Sequence, residues 1–216
     1  MDNDENTTIS SSEYVKYIRR NEIPPYSPTP ISWGSGFLTT KDDHDARSEC
    51  TSRGLWIVID KHWTGRLADW IGKRKCLEIM AGGGWLAKAL NEHNVNIIAT
   101  DDYSWDNSNH NNMIRVYPVA KMSAINAVRQ HPDADILIVS WAPYGNDAIC
   151  KACNEWGHTR PIIHIGEGDG GCNAPSGFWH CFREREDWPQ GFGMQSWYGL
   201  HDYINIGVYD QHLYWR

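Results

Sequence analysis

The sequence has no long apolar run. Its longest purely aliphatic stretch, Ile136-Leu137-Ile138-Val139, falls far short of the roughly 18 residues that a membrane-spanning helix needs. No basic segment leads into an apolar one near the first residue, so neither a span nor a secretory leader is expected and the expected location is the cytoplasm. Positive charge is scarce as well: 20 Lys and Arg stand against 27 Asp and Glu, a formal net charge of −7. That balance disfavours non-specific binding of duplex nucleic acid, which works by neutralising phosphates, but leaves room for a site that accepts one base or one side chain. An internal repeat is absent. In a cytosolic chain the six cysteines (Cys50, Cys76, Cys150, Cys153, Cys172 and Cys181) are expected as thiols and not as a disulfide framework. Phenylalanine is rare, with 4 residues, while tryptophan is abundant, with 12.

A chain of 216 residues suits one medium domain with an appended segment, and a domain of that size needs no metal or disulfide to hold a core. Residues 1–30 are expected to be disordered or extended, and residues 31–216 to form the domain. Residues 1–12 are polar and read as a tail, Glu13 to Arg20 carries Tyr14, Tyr17 and Ile18 at helical spacing, and the prolines from Pro24 to Pro30 predict an extended connector. From Arg53 to Gly72 the apolar residues recur at three- and four-residue steps, which predicts a helical region with Trp56, Trp63 and Trp70 on one packing face.

Strand and helix patterns then alternate. Cys76 to Ile79 reads as a short buried strand, Gly82-Gly83-Gly84 as a turn, Trp85 to Asn91 as a helix and Val95 to Thr100 as a second strand. Ile114 to Val119 suggests a third strand, Ser123 to His131 a helix, and Asp135 to Ser140 a continuous β-branched central strand. Asp147 to Gly157 reads as a helix, Pro161 to Gly166 as a fifth strand, and Asp202 to Tyr209, with period-two alternation, as a late antiparallel strand. The expected fold is α/β: a doubly wound, mostly parallel sheet between helical layers, a three-layer sandwich.

In such a sheet, ligands bind beyond the carboxyl ends of the strands. The first strand ends in Met80-Ala81-Gly82-Gly83-Gly84, where missing Cβ atoms let a ligand lie against backbone N–H groups. The second ends in Asp101-Asp102, with Asp101 placed to accept hydrogen bonds from two ribose hydroxyls.

Glu78, the glycine loop and Asp101 together resemble the first motifs of class I S-adenosylmethionine-dependent methyltransferases, a Rossmann-like family. The resemblance covers about residues 53–210, with Met80 in place of the loop's first glycine. It implies S-adenosylmethionine as cofactor: Glu78, Met80, Ala81, Gly82, Gly83 and Gly84 would wrap its methionine side, Asp101 and Asp102 its ribose, and Met122, Ser123 and Ala124 its adenine. Ser140-Trp141-Ala142-Pro143-Tyr144 at the end of the fourth strand resembles a variant of the amino-methyltransferase acceptor motif, so Ser140 is expected beside the cofactor, and Trp141, Pro143 and Tyr144 at a nitrogen acceptor on a small molecule, polypeptide or nucleobase. An aromatic face there would favour the positive charge that develops on nitrogen. Glu167, among glycines after the fifth strand, is a candidate proton acceptor or cation ligand, and His201 a candidate general base.

A nicotinamide or flavin enzyme is a rival for the same fold, although Glu78 has no set role in the dinucleotide fingerprint. A non-catalytic binding module and an enzyme that cleaves S-adenosylmethionine itself are the further alternatives. No metal site is expected: Cys150 and Cys153 have knuckle-like spacing, but Cys172 and Cys181 lie too far apart to complete a zinc site with His158, His164 or His180. Of the remaining tryptophans, Trp85, Trp105 and Trp141 are expected at the cofactor and acceptor, with Trp179, Trp188 and Trp197 rimming the same mouth.

Overall fold

The computed structural model describes residues 8–29, 41–107 and 114–211. The expectations for residues 1–7 and for Pro30 lie outside the described residues. Seven strands form one sheet in the order β3-β2-β1-β4-β5-β7-β6. Strands β1 (Cys76–Ile79), β2 (Ile97–Asp101), β3 (Val119–Lys121), β4 (Ile136–Ser140) and β5 (Ile162–Gly166) pair in parallel. The late strand β7 (Tyr203–Tyr209) is antiparallel to both β5 and β6 (Phe182–Glu184). The chain order reverses between β1 and β4, which makes their carboxyl ends the switch point of the sheet.

Burial on both faces explains the apolar continuity of β4. Ile136 and Ile138 join one core cluster, together with α1 (Ser11–Arg19), α2 (Lys41–Ser52), α3 (Lys61–Ile71) and α4 (Trp85–Glu92). Leu137 and Val139 point the other way, into a second cluster with α5 (Ala124–Gln130), α6 (Ala148–Trp156) and α7 (Ser176–Cys181). Alternation along one strand thus builds the two interfaces of a three-layer sandwich.

The helical spacing of Glu13 to Arg20 is met by α1, so residues 1–30 are not wholly disordered or extended: α1 is capped by Ser10, whose side chain accepts from the Glu13 N–H, and it buries Tyr14 and Ile18 in the first core. The Tyr14 hydroxyl donates to the Ile59 carbonyl at 2.9 Å and accepts from the Ile59 N–H at 2.8 Å. The helical region before β1 is also shorter than its periodicity predicts. It starts at Lys61, because Asp60 caps it by accepting from the Trp63 N–H at 2.9 Å; residues 55–60 are non-helical backbone with Leu55, Ile57, Val58 and Ile59 buried. Trp63 is fully buried and Trp70 packs against the first core, but Trp56 lies outside the helix. No helix of the described residues is long and apolar enough to cross a membrane.

Candidate functional site

The carboxyl ends of β1, β2 and β4 enclose two small cavities. The first, of about 60 Å³, is lined by Glu78, Met80, Ala81, Gly82, Ser140, Trp141 and Pro143, with Trp56, Trp85 and Trp105 as aromatic walls. The second, of about 90 Å³, is lined by Asp101, Asp102, Met122, Ser123 and Ala124, and shares Met80, Trp105 and Pro143 with the first. Neither reaches the roughly 300 Å³ at which small-molecule pockets begin. Met80, with an unbranched and adaptable thioether, lines both. The residue holds a positive φ of 57°, a conformation that glycine adopts more easily.

Asp101 holds the loop in shape. Its Oδ2 accepts from the Gly82 N–H at 2.8 Å and its Oδ1 from the Tyr103 N–H at 2.7 Å. Asp102 is exposed and accepts from the Ser104 N–H. Glu78 is fully buried with one oxygen, Oε2, lacking any hydrogen-bond partner. Burial, reinforced by the charge of Asp101 and opposed by the N–H that Ala87 donates, pushes its carboxyl up to about 8.

Gly83 and Gly84 do not face either cavity. A Cβ on Gly83 would sit 2.3 Å from the Ile114 carbonyl oxygen, and one on Gly84 would sit 2.9 Å from side-chain atoms of Tyr117 and Val119. The Val116 N–H donates to the Gly83 carbonyl at 2.8 Å. These two glycines therefore admit the protein's own segment before β3, and of the three only Gly82 borders a cavity.

At the acceptor end, Trp141 carries the arrangement. Its ring stacks on Trp56, with centroids 5.6 Å apart at 19°, and its Nε1 donates to Asp202 Oδ1 at 2.8 Å. Asp202 had no individual role in the sequence reading. Its second oxygen is buried without a partner, and burial pushes its carboxyl up to about 7 against the lowering effect of the Trp141 bond. Tyr144, expected at the acceptor, is 74% exposed and borders neither cavity. Glu167 also lies outside them, with both oxygens committed to backbone: Oε2 accepts from the Cys172 N–H at 2.8 Å and Oε1 from the His201 N–H at 3.3 Å. Burial acts to raise the Glu167 carboxyl, but the donors from Cys172 and His201 outweigh it and hold the group below its usual range. It clamps two loops. His201 is exposed, with Nδ1 3.8 Å from Glu167 Oε1.

The expected aromatic mouth is only partly formed. Trp85 and Trp105 are there with Trp141, but Trp179 packs edge-on to His164 and Phe178, Trp188 lies against Trp70, and Trp197 meets Tyr14 edge-on. Among the described residues, no three His, Cys, Asp or Glu side chains converge on a point that could hold a metal ion. His164 is buried among aromatic rings, which pushes its pKa down to about 3.

No family model matches the sequence, and no curated protein matches it. Matches among solved structures include a SAM dependent methyltransferase from Archaeoglobus fulgidus, at 16% identity over 49% of this chain and 52% of that one, with a TM-score of 0.34. The ribosomal protein L11 methylase of Lactobacillus delbrueckii subsp. bulgaricus matches at 11% identity over 68% of this chain and 77% of that one, TM-score 0.38. Human N-acetylserotonin methyltransferase, solved in complex with SAM, matches at 10% identity over 93% and 66%, TM-score 0.43. The chain spans about half the length of the Archaeoglobus protein. The sheet itself decides the architecture: parallel strands β3-β2-β1-β4-β5, a switch point between β1 and β4, and the late antiparallel β7. The fold is a doubly wound, mostly parallel α/β sheet between helical layers, with an antiparallel strand at one side. In this sheet both cavities occupy the switch-point edge, where ligands of open α/β sheets bind.

Proposed function

We propose that this protein is an S-adenosylmethionine-dependent methyltransferase acting on a nitrogen acceptor. The observation that carries the reading is the pair of acids at adjacent strand ends, Glu78 and Asp101, each bordering one of two cavities that share Met80. The residues suit the cofactor. Glu78 Oε2, a buried acid oxygen without a partner, matches the ammonium of the methionine part; Asp101, an acid at the end of β2 in the wall of the second cavity, matches ribose hydroxyls; Met122, Ser123 and Ala124 offer small side chains to the adenine. When bound, the cofactor supplies an already activated methyl group on a sulfonium. What remains for the chain is alignment and exclusion of water. Trp141, locked by Trp56 on one side and Asp202 at its edge, presents a fixed aromatic wall suited to a nitrogen gaining positive charge.

Calorimetry with S-adenosylmethionine and its demethylated product tests the reading. Binding of either in the micromolar range is expected, and Asp101→Ala should weaken it by roughly tenfold or more, since two charge-assisted bonds are lost. Absence of binding at high micromolar concentration, or unchanged affinity in the variant, would overturn it. A second reading, a binding module without transfer, draws support from Tyr144, which stands in solvent away from both cavities. Incubation with methyl-labelled cofactor and candidate acceptors separates the two, and product analysis without any acceptor exposes cleavage of the cofactor itself.

A further inference from the structure

A third cavity, of about 270 Å³, opens between the N-terminal segment, α2 and the loop before β7. It approaches the size of a small-molecule pocket, as the first two cavities do not, and is smaller than an open cleft of about 590 Å³ lined by Asp102, Lys121, Met122 and Ser123. Pro28, Arg47, Trp197 and Tyr198 line it. Its polar groups are unevenly matched. Asp43 in the same wall accepts from the Ser11 hydroxyl, whereas the half-buried Arg47 guanidinium has no hydrogen bond or ion pair among the described residues. Trp197, only 5% exposed, carries an indole N–H that is buried without an acceptor. Both unmatched groups are donors, and an unmatched buried donor is costly unless something accepts from it. Tyr198, 45% exposed, adds an open aromatic face.

A chain of hydrogen bonds links the wall of this cavity to the edge of the sheet. Ser196, in its wall, accepts from the Asp202 N–H at 3.0 Å, and Asp202 accepts from Trp141, which lines the first cavity. Arg47 lies close enough to favour the ionised forms of both Asp202 and Cys172.

We propose that this cavity binds the carboxylate end of the methyl acceptor, a small molecule gripped by Arg47, with an aromatic or apolar body against Trp197 and Tyr198 and its nitrogen towards the Trp141 wall. A planar guanidinium suits a carboxylate's two oxygens. A dianionic phosphate fits less well, because it would bring a second negative charge beside Asp43 with the Arg47 guanidinium to oppose it. The role of acceptor rests on the methyltransferase reading; the binding of a carboxylate does not.

The test uses the full chain, with phenylacetate and indole-3-acetate as probes and phenylacetamide and indole-3-acetamide as their uncharged counterparts, followed by ligand-observed NMR and calorimetry. The acids should bind at least about tenfold more tightly than the amides. Arg47→Gln should erase that preference, and Arg47→Lys, which keeps the charge without the fork, should restore part of it. Tyr198→Ala, at an exposed position, should weaken acids and amides alike and serves if Arg47→Gln does not fold. No binding of either acid at millimolar concentration, equal affinity for acid and amide, or a preference that survives Arg47→Gln overturns the proposal. If Arg47 serves only to balance Asp202, the variant would shift the pH dependence of stability and leave the acid preference intact, which also overturns it. Arg47-dependent acid binding by a chain that does not bind S-adenosylmethionine would remove the acceptor role and keep the carboxylate site. Cofactor binding without acid preference would overturn this proposal and leave the methyltransferase reading standing.

Discussion

Replacing Glu78 by Gln should make the protein more stable in mildly alkaline solution, and the size of the gain can be worked out. The carboxyl is raised from an ordinary 4.5 to about 8, chiefly by burial. Between those values the folded chain holds a proton that the unfolded chain releases. Stability from this group is therefore complete below pH 4.5 and is lost as pH rises towards 8. At about 1.4 kcal/mol per pH unit, the loss comes to roughly 3 to 5 kcal/mol, a large share of the ~5–15 kcal/mol that holds a typical domain folded. In Glu78→Gln the side-chain carbonyl still accepts from the Ala87 N–H, and the amide NH2 takes the place of the carboxyl hydroxyl, so the two chains should be close in stability near pH 5. Urea unfolding at pH 5, 6, 7 and 8 should show the variant pulling ahead by about 1 kcal/mol per pH unit. The raised carboxyl of Asp202 is common to both chains and cancels in the comparison. Parallel stability curves would refute the reasoning. A linked consequence follows for binding: an ammonium entering the first cavity near pH 7 should release a proton from Glu78, seen as a buffer-dependent heat of binding that Glu78→Gln abolishes.

Gly83→Ala should destabilise the fold by about 1 to 3 kcal/mol, because the new Cβ would fall 2.3 Å from a backbone carbonyl oxygen that cannot easily move; a thermal midpoint equal to that of the natural chain would contradict the packing of the segment before β3 on the glycine loop. Tyr144→Ala should leave stability within about 0.5 kcal/mol, as expected of a side chain 74% exposed. It should nevertheless reduce transfer of labelled methyl groups if the ring closes over the acceptor, and undiminished transfer would remove Tyr144 from that role.

The parts that were legible in the sequence have local or periodic causes. The β-branched run at Ile136 to Val139 reads as a central strand because only a strand buried on both faces needs such continuity. Asp101 and the glycine turn are legible because strand ends in an open sheet are where ligand-binding groups collect. By contrast, α2 buries only Ala46 and Cys50 in 12 residues, too few for a periodic signal, and β6 is three residues long and held by its pairing with β7. The seven-residue spacing of Trp56, Trp63 and Trp70 misleads at Trp56, since the Asp60 cap starts the helix five residues later, at Lys61.

What the sequence by itself determined is the run of strands β1, β2, β4, β5 and β7 and the helices α1 and α3 to α6 among them, because period, turn residues and burial are written residue by residue along the chain. Only the tertiary structure decided which acids are free to act. Glu167 and Asp202 look alike in sequence, yet two loop N–H groups occupy both oxygens of the first, while one indole leaves an oxygen of the second buried and unmatched. It also decided that Gly83 and Gly84 serve the chain's own packing and that Arg47 lies beside Trp197, some 150 residues away in the chain. Such facts depend on contacts between distant segments, and hydrogen-bond satisfaction and desolvation are properties of those contacts and not of any single stretch of sequence.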